Sequence, residues 1–177
     1  MQQLLTLHPD GRCDAVTRIA VEIARPSAAV LLVDYIVGGN LDDLSLPPIG
    51  TPARTDGLWQ HTCFEAFVRP AGGESYFEFN FSPSTQWAAY RFDRYREGMA
   101  SAETAVPRIE FERTAQRGIL RAALTLPEEG ACRLGLSAVI EETNGRKSYW
   151  ALAHPPGKPD FHHSDCFALE LPAACAR

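Results

Sequence analysis

The feature of this sequence that most constrains its fold is a regular succession of short segments in which apolar and polar residues alternate, separated by Gly, Pro and Asn turns. The clearest segments are 62–68 (TCFEAFV) and 75–81 (SYFEFNF). Side chains of a β-strand point alternately to its two faces, so the three phenylalanines of the second segment share one face and Glu78 and Asn80 share the other. Such a sheet has one face for a core and one for solvent or a ligand.

The alternation predicts ten strands, with turn-forming residues in the gaps between them. The predicted strands span residues 16–24, 29–37, 62–69, 75–82, 86–93, 108–114, 118–126, 132–142, 148–154 and 166–171. Asn144-Gly145 is a strong signal for a hairpin between the strands on either side of it. Since no long helical pattern is present, we predict an all-β, antiparallel jelly-roll β-sandwich of about ten strands, formed by residues 1–177 as a single domain.

Net charge and composition narrow the class of partner. The formal net charge is −5, and the 17 basic residues are scattered along the chain. Nucleic acids and anionic membranes attract clustered positive charge, so neither is expected as a partner. The most apolar segment, 28–37, is only about a strand long and contains Asp34, which is inconsistent with a membrane span. A neutral or weakly charged small molecule fits this composition better.

The N-terminal residues and the cysteines predict a cytoplasmic protein. Residues 1–8 (MQQLLTLH) contain neither a basic segment nor an apolar stretch of the length that a secretory signal needs. The five cysteines are an odd number and show no paired spacing. Reduced thiols are the expectation for such a pattern.

The alternation also predicts which polar side chains share a sheet face. Glu65, Glu78 and Asn80 are predicted to point outward, together with Arg91 on the following strand. The apolar residues of segments 120–126 and 134–140 should meet in the core. A polar face of this kind is either a solvated exterior, with cross-strand ion pairs worth about 0.2–1 kcal/mol each, or a binding surface.

Three tryptophans, Trp59, Trp87 and Trp150, lie near the ends of predicted strands. A flat aromatic ring beside carboxylate, guanidinium and amide groups suits sugar recognition, because the ring stacks on pyranose C–H groups while the polar groups bind hydroxyls. The alternative for each tryptophan is a structural position in the core or at its rim, and this alternative is favoured for Trp87.

Several short motifs, in the same order along the chain, resemble the family 9 carbohydrate-binding modules and the related DOMON-like domains. The resemblance runs from about residue 15 to residue 172. The motifs are 58–68 (LWQHTCFEAFV), 76–83 (YFEFNFSP), 149–155 (YWALAHP), 159–162 (PDFH) and 166–169 (CFAL).

The resemblance implies a jelly-roll sandwich that binds a small carbohydrate or glycan fragment and catalyses nothing. In the sugar-binding members, two tryptophans clamp a terminal sugar with the help of an acidic residue and an arginine. Trp59 and Trp150 match the two clamps, Glu65 the acidic residue, and Arg91 is the nearest arginine. His61 and His154 are expected at the rim. The predicted ligand-binding residues are therefore Trp59, His61, Glu65, Arg91, Trp150 and His154.

Haem is the main alternative ligand, because other DOMON-like domains bind haem between a methionine and a histidine. Met99 with His61, His154 or His162 would be the axial pair here. The expectation itself is that the domain has no cofactor. Structural calcium is a further alternative, although no recognised calcium loop is present.

A metal site and catalysis are two further possibilities. His162, His163 and Asp165 resemble a ligand cluster, but adjacent residues of an extended segment point apart, so no metal site is predicted. Glu65 and Glu78 would be the carboxyl pair of a glycosidase. Since no recognised catalytic motif is present, the chain is predicted not to be an enzyme. A module that binds a protein partner on its sheet face is the remaining alternative.

Overall fold

The computed structural model describes residues 1–174, which form an antiparallel sandwich of two sheets. Sheet A has the order β1-β2-β3-β9-β8. Its strands are β1 (Gln2–Leu7), β2 (Val16–Ser27), β3 (Val30–Gly39), β8 (Arg108–Arg113) and β9 (Arg117–Thr125). Sheet B has the order β7-β6-β5-β4-β10, and β11 and β12 both pair with the other side of β10. Its strands are β4 (Cys63–Pro70), β5 (Tyr76–Phe81), β6 (Trp87–Phe92), β7 (Ala100–Ser101), β10 (Cys132–Glu141), β11 (Lys147–Ala151) and β12 (Leu169–Leu171).

The two sheets share one strand. In β1, residues 2–5 pair with β2 in sheet A, whereas Thr6 and Leu7 pair with β11 in sheet B. The strand therefore joins the sheets along one side of the sandwich. It was not predicted, because its leucines do not alternate with polar residues: Leu5 is buried while the adjacent Leu4 is 52% exposed.

The predicted all-β, antiparallel sandwich is confirmed, and each of the ten predicted strands is present within a few residues. The additional strands are β1 and the two-residue β7. The last strand is shorter than predicted, because Ser164–Cys166 form a turn of 3-10 helix. The β10–β11 hairpin has the predicted Gly145 in its turn, with a φ of +83°. None of the helices within residues 1–174 has the length and apolar character needed to cross a membrane.

The main core lies between the sheets. As predicted, the inward-facing apolar residues of β9 and β10 belong to one buried cluster, together with Phe77, Phe79 and Phe81 of β5. Tyr35 spans this core from β3 and donates a hydrogen bond of 2.6 Å to the backbone oxygen of Glu65. Sheet A thereby fixes the β4 backbone from behind, at the residue whose side chain points away from the core.

The two strands at the ends of the strand order, β7 and β8, are unsuited to pairing with a strand of another chain. The edge strand β8 exposes Arg108, Glu110 and Glu112. Arg108 forms an ion pair with Glu110, and Glu112 forms one with Arg121 of β9. At the edge of sheet B, β7 has only two residues. Charged and very short edges are features that limit strand addition.

The thiols that the structure describes, Cys13, Cys63, Cys132 and Cys166, are free. Cys175, the fifth cysteine of the sequence, lies outside residues 1–174.

Candidate functional site

The outer face of sheet B, which is turned away from sheet A, contains a groove of about 570 Å³. Part of this face is covered by the segment 153–167, whose Phe161 and Phe167 pack on the aromatic residues of the sheet. Gly135 permits this close approach, since a Cβ there would lie 3.0 Å from the backbone oxygen of Cys166. The groove is lined by Trp59, Glu65, Phe67, Glu78, Tyr90, Phe92, Arg96, Met99, Val139, Tyr149, Lys158, Pro159, Phe161 and His162.

Two carboxyl groups, of Glu65 and Glu78, lie at the floor of the groove. Glu65 on β4 pairs with Asn80 on β5, so Glu78 is its diagonal neighbour on the same face. Only 3% of Glu65 and 6% of Glu78 are exposed. Ser137 donates to Oε2 of Glu65 at 2.9 Å, and Asn80 donates to Oε1 of Glu78 at 2.7 Å. Within residues 1–174 the other oxygen of each carboxyl has no hydrogen-bond donor.

Burial changes the protonation of this acid pair. Burial and, second to it, the charge of Glu78 raise the pKa of Glu65 to about 8, while the hydrogen bond from Ser137 opposes this shift. Burial also raises the pKa of Glu78, against the opposing effects of Asn80 and Arg96. A proton is therefore retained on the pair near neutral pH, and the floor can donate a hydrogen bond through one carboxyl and accept one through the other.

Trp59 lies at the rim on a turn of 3-10 helix, Leu58–Gln60, and is 53% exposed. Gly57 begins the turn with a φ of +75°, a conformation that glycine adopts without strain. The preceding residue, Asp56, accepts a hydrogen bond of 2.7 Å from the hydroxyl of Tyr90 on β6. The loop is thus attached to the sheet three residues before Trp59.

His162 forms part of the groove wall as a neutral imidazole. Burial lowers its pKa to about 4, and the charge of Arg96 acts in the same direction. The Tyr76 hydroxyl accepts from the backbone N–H of Arg96 and lies 2.8 Å from Nδ1 of His162, so the hydroxyl donates to Nδ1. This assignment leaves the proton on Nε2, which lies 3.7 Å from Oε2 of Glu78.

Asp160 connects the two loops that form the rest of the rim. It accepts hydrogen bonds from the Tyr95 hydroxyl at 2.5 Å and from Nη2 of Arg96 at 2.7 Å. Although burial opposes it, these two bonds lower the pKa of Asp160. The carboxylate therefore holds segment 93–99 against segment 155–163.

Of the six predicted ligand-binding residues, Trp59 and Glu65 line the groove. His61 is adjacent to the rim turn, and its Nδ1 lies 2.7 Å from Oε2 of Glu141. His154 does not line the groove: its Nε2 donates to the backbone oxygen of Thr6 and its ring packs edge-on against His8.

Two predicted positions are corrected by the strand register. Trp150 pairs with Ala138 and is only 5% exposed in the core, where its Nε1 donates to Ser148 at 3.0 Å. Its neighbour Tyr149 lines the groove instead.

Arg91 was expected on the same outward face as Glu78. It pairs with Phe77, and paired residues share a face, so its side chain leaves the opposite side of the sheet and contacts Asp93 at 3.0 Å. The arginine that lines the groove is Arg96, from the loop that follows β6.

The sequence reasoning missed Tyr90, Arg96 and Tyr149 as groove residues. A usable signal existed for Tyr90, because an antiparallel pairing of β5 with β6 places it opposite Glu78. Arg96 has no such signal, since it lies in a loop whose path depends on contacts with Asp160 and Tyr76.

No cluster of three or more His, Cys, Asp or Glu side chains in the part of the chain that the structure describes is arranged to hold a metal ion. His162 and His163 have separate partners: His162 contacts Tyr76, whereas Nδ1 of His163 accepts from the backbone of Asp165. Met99 lines the groove and is 60% exposed.

Comparison with known proteins identifies structural relatives. No protein-family model matches the chain, and no curated protein sequence matches it. A proposed carbohydrate-binding protein from Bacteroides uniformis is similar in structure, with a TM-score of 0.66 and 13% identity over 93% of this chain and 83% of that one.

A family 9 carbohydrate-binding module from Caldicellulosiruptor kristjanssonii is also similar. Its complex with cellotriose has a TM-score of 0.53 and 10% identity, over 89% of this chain and 74% of that one. Its complex with glucose has a TM-score of 0.50 and 10% identity, over 84% and 72%. At these identities the likeness shows the fold: the chain has the sandwich of the family 9 modules.

Proposed function

We propose that the groove on sheet B binds a small carbohydrate without transforming it. The observation that carries this proposal is the half-exposed ring of Trp59 at the rim of a groove whose floor consists of two buried carboxyl groups. About half of Trp59 is exposed, so its indole ring is available for stacking on the C–H face of a sugar ring.

The polar groups in the groove suit hydroxyl recognition. The acid pair of Glu65 and Glu78 offers both a donor and an acceptor, and Nε2 of His162 is a donor near Glu78. A sugar hydroxyl both donates and accepts, so a site of this kind binds it without leaving an unpaired group. The two similar structures with bound sugars contain glucose and cellotriose, which makes these sugars the first ligands to test.

The two similar structures with bound sugars are carbohydrate-binding modules, which favours binding over hydrolysis. A glycosidase needs two carboxyl groups at the scissile bond, about 5 Å or 6.5–9.5 Å apart. Glu65 and Glu78 extend from neighbouring strands on one sheet face, where they can form hydrogen bonds to one sugar ring. We infer that the domain binds a sugar and is not an enzyme.

Haem is the competing ligand proposal, since Met99 and His162 both line the groove. The donor set argues against it: Nδ1 of His162 is engaged by Tyr76, and Nε2 faces the carboxyl of Glu78. Two buried acids at the floor also differ from the apolar slot that a porphyrin requires.

Isothermal titration of the purified protein with glucose and cellotriose tests the proposed function, with an absorbance scan beforehand. Binding that is lost in Trp59→Ala supports it. Trp87→Phe, a substitution in the core on β6, is the matched control and should leave the affinity unchanged. Absence of binding by any sugar contradicts the proposal; a Soret band would then identify haem, and a co-purifying protein would identify a protein partner.

A further inference from the structure

The acid pair at the floor of the groove lacks a cationic partner. No lysine or arginine within residues 1–174 forms an ion pair with Glu65 or Glu78. The arginine that lines the groove, Arg96, is engaged by Asp160, and the lysine that lines it, Lys158, is exposed to solvent. Buried carboxyl groups are normally paired with a positive charge or remain protonated.

One oxygen of each carboxyl is free to contact a ligand. Ser137 and Asn80 occupy Oε2 of Glu65 and Oε1 of Glu78, which leaves Oε1 of Glu65 and Oε2 of Glu78 without donors among the described residues. An ammonium group has three donors and no acceptor, so it can contact two such oxygens at once. A neutral hydroxyl has a single donor, so it can donate to only one of the two oxygens and must accept the proton that the other carboxyl retains.

The walls above the floor are aromatic. Trp59, Tyr90, Phe92, Tyr149 and Phe161 line the groove together with the acid pair. Aromatic faces attract cations, and a buried carboxylate beside them strengthens that attraction. The acid pair and the aromatic rings therefore favour the same charge on a ligand.

We propose that the groove selects a sugar with a free amino group, whose ammonium lies between the carboxyl groups of Glu65 and Glu78. This inference rests on the proposed carbohydrate-binding function and names the class of sugar. The aromatic rim accounts for binding of the sugar ring, and the acid pair distinguishes an amine from a hydroxyl at the same ring position.

Binding of the ammonium displaces the proton that the pair retains. The titratable groups that surround the pair are Cys63, Tyr76, Tyr90, Arg96, Tyr149, Lys158 and His162, with Tyr35 behind β4 and Asp160 beyond Arg96. His162 is already neutral near pH 7, and burial raises the pKa values of Cys63 and Tyr90. The acid pair is therefore the group that releases a proton when an ammonium enters.

Titration calorimetry with glucose, glucosamine and N-acetylglucosamine at pH 7 tests this proposal. These sugars differ only in the group at one ring position, and the titrations are repeated in two buffers of different ionisation enthalpy. We expect glucosamine to bind at least tenfold more tightly than either neutral sugar, with protons released only for glucosamine. Glu65→Gln and Glu78→Gln should reduce the preference, whereas Glu170→Gln, on β12 away from the groove, should preserve it.

The outcomes separate the two proposals. If glucose binds as tightly as glucosamine, the amino-sugar preference is wrong while carbohydrate binding stands. If no sugar binds, both proposals are wrong. The proton release is measured on the unmodified protein, so the preference stays testable even where a Gln variant fails to fold.

Discussion

Tyr149 and Trp150, adjacent on β11, point to opposite sides of sheet B. Tyr149 pairs with Val139 and lines the groove, whereas Trp150 pairs with Ala138 and packs in the core between the sheets. A one-residue difference in register thus decides which ring is available to a ligand. Substitution of Trp150 should therefore cost more stability than substitution of Tyr149.

Trp150→Ala should destabilise the fold by about 3–5 kcal/mol, because it leaves a large cavity between the sheets. Chemical denaturation monitored by circular dichroism measures the change in the free energy of unfolding. Tyr149→Ala is the matched control and should cost less, since its ring borders an existing groove. Wild-type stability in the Trp150 variant would show that its ring is not a core residue.

Trp59→Ala should leave the free energy of unfolding within about 0.5 kcal/mol of the wild type, since more than half of the side chain is exposed. Affinity for the sugar should fall at least tenfold, or about 1.4 kcal/mol. Calorimetry and thermal unfolding of the same sample check both parts. An unchanged affinity would remove the indole ring from the binding site.

The pKa of Glu65 predicts a pH-dependent stability. The folded state binds this proton more tightly than the unfolded chain, so the stabilisation is complete below the ordinary value of 4.5 and is lost as the pH rises toward 8. The free energy of unfolding, obtained from denaturation curves between pH 5 and pH 9, should therefore fall by up to about 1.4 kcal/mol per pH unit. Glu65→Gln has no proton to lose and should show a flatter profile, with the remaining slope due to Glu78.

Gly135→Ala should displace the segment that covers the groove. The new methyl group would lie 3.0 Å from the backbone oxygen of Cys166 and 3.4 Å from Cβ of Phe67, and overpacking of this kind costs about 1–3 kcal/mol. Hydrogen exchange should increase in segment 153–167. Gly38→Ala on β3 is the control, because its nearest contact is 3.9 Å away; equal effects of the two substitutions would argue against the close approach.

Asp160→Asn should weaken binding more than it weakens the fold. The ion pair with Arg96 is partly exposed and contributes less than about 1 kcal/mol to stability, but it holds two rim loops together. We expect faster hydrogen exchange in segment 93–99 and a severalfold loss of sugar affinity. Unchanged exchange in that segment would mean that the loop is held by other contacts.

The strands and most of their faces could be predicted from local alternation. That pattern placed Glu65, Glu78 and Asn80 on one face, as the structure shows. It did not indicate that this face is buried, because the cover comes from segment 153–167, and the docking of an irregular segment leaves no periodic signal.

Arg91 and Trp150 were assigned to the wrong sheet face because the two faces of their strands differ little in polarity. In β6 the sequence WAAYRF contains small alanines on both faces, so Arg91 was assigned to the outer face, although pairing with Phe77 places it on the other. In β11 the sequence KSYWA places two large aromatics side by side. Only the pairing with β10, a contact between strands, determines which of them faces the core.

The two ends of the strand order limit how this protein can be recognised. The charged side chains of β8 disfavour pairing with another strand, and the two-residue β7 offers little backbone for another chain to extend. Recognition must then depend on side chains rather than on main-chain pairing. A groove with aromatic walls is the surface on which that chemistry is concentrated.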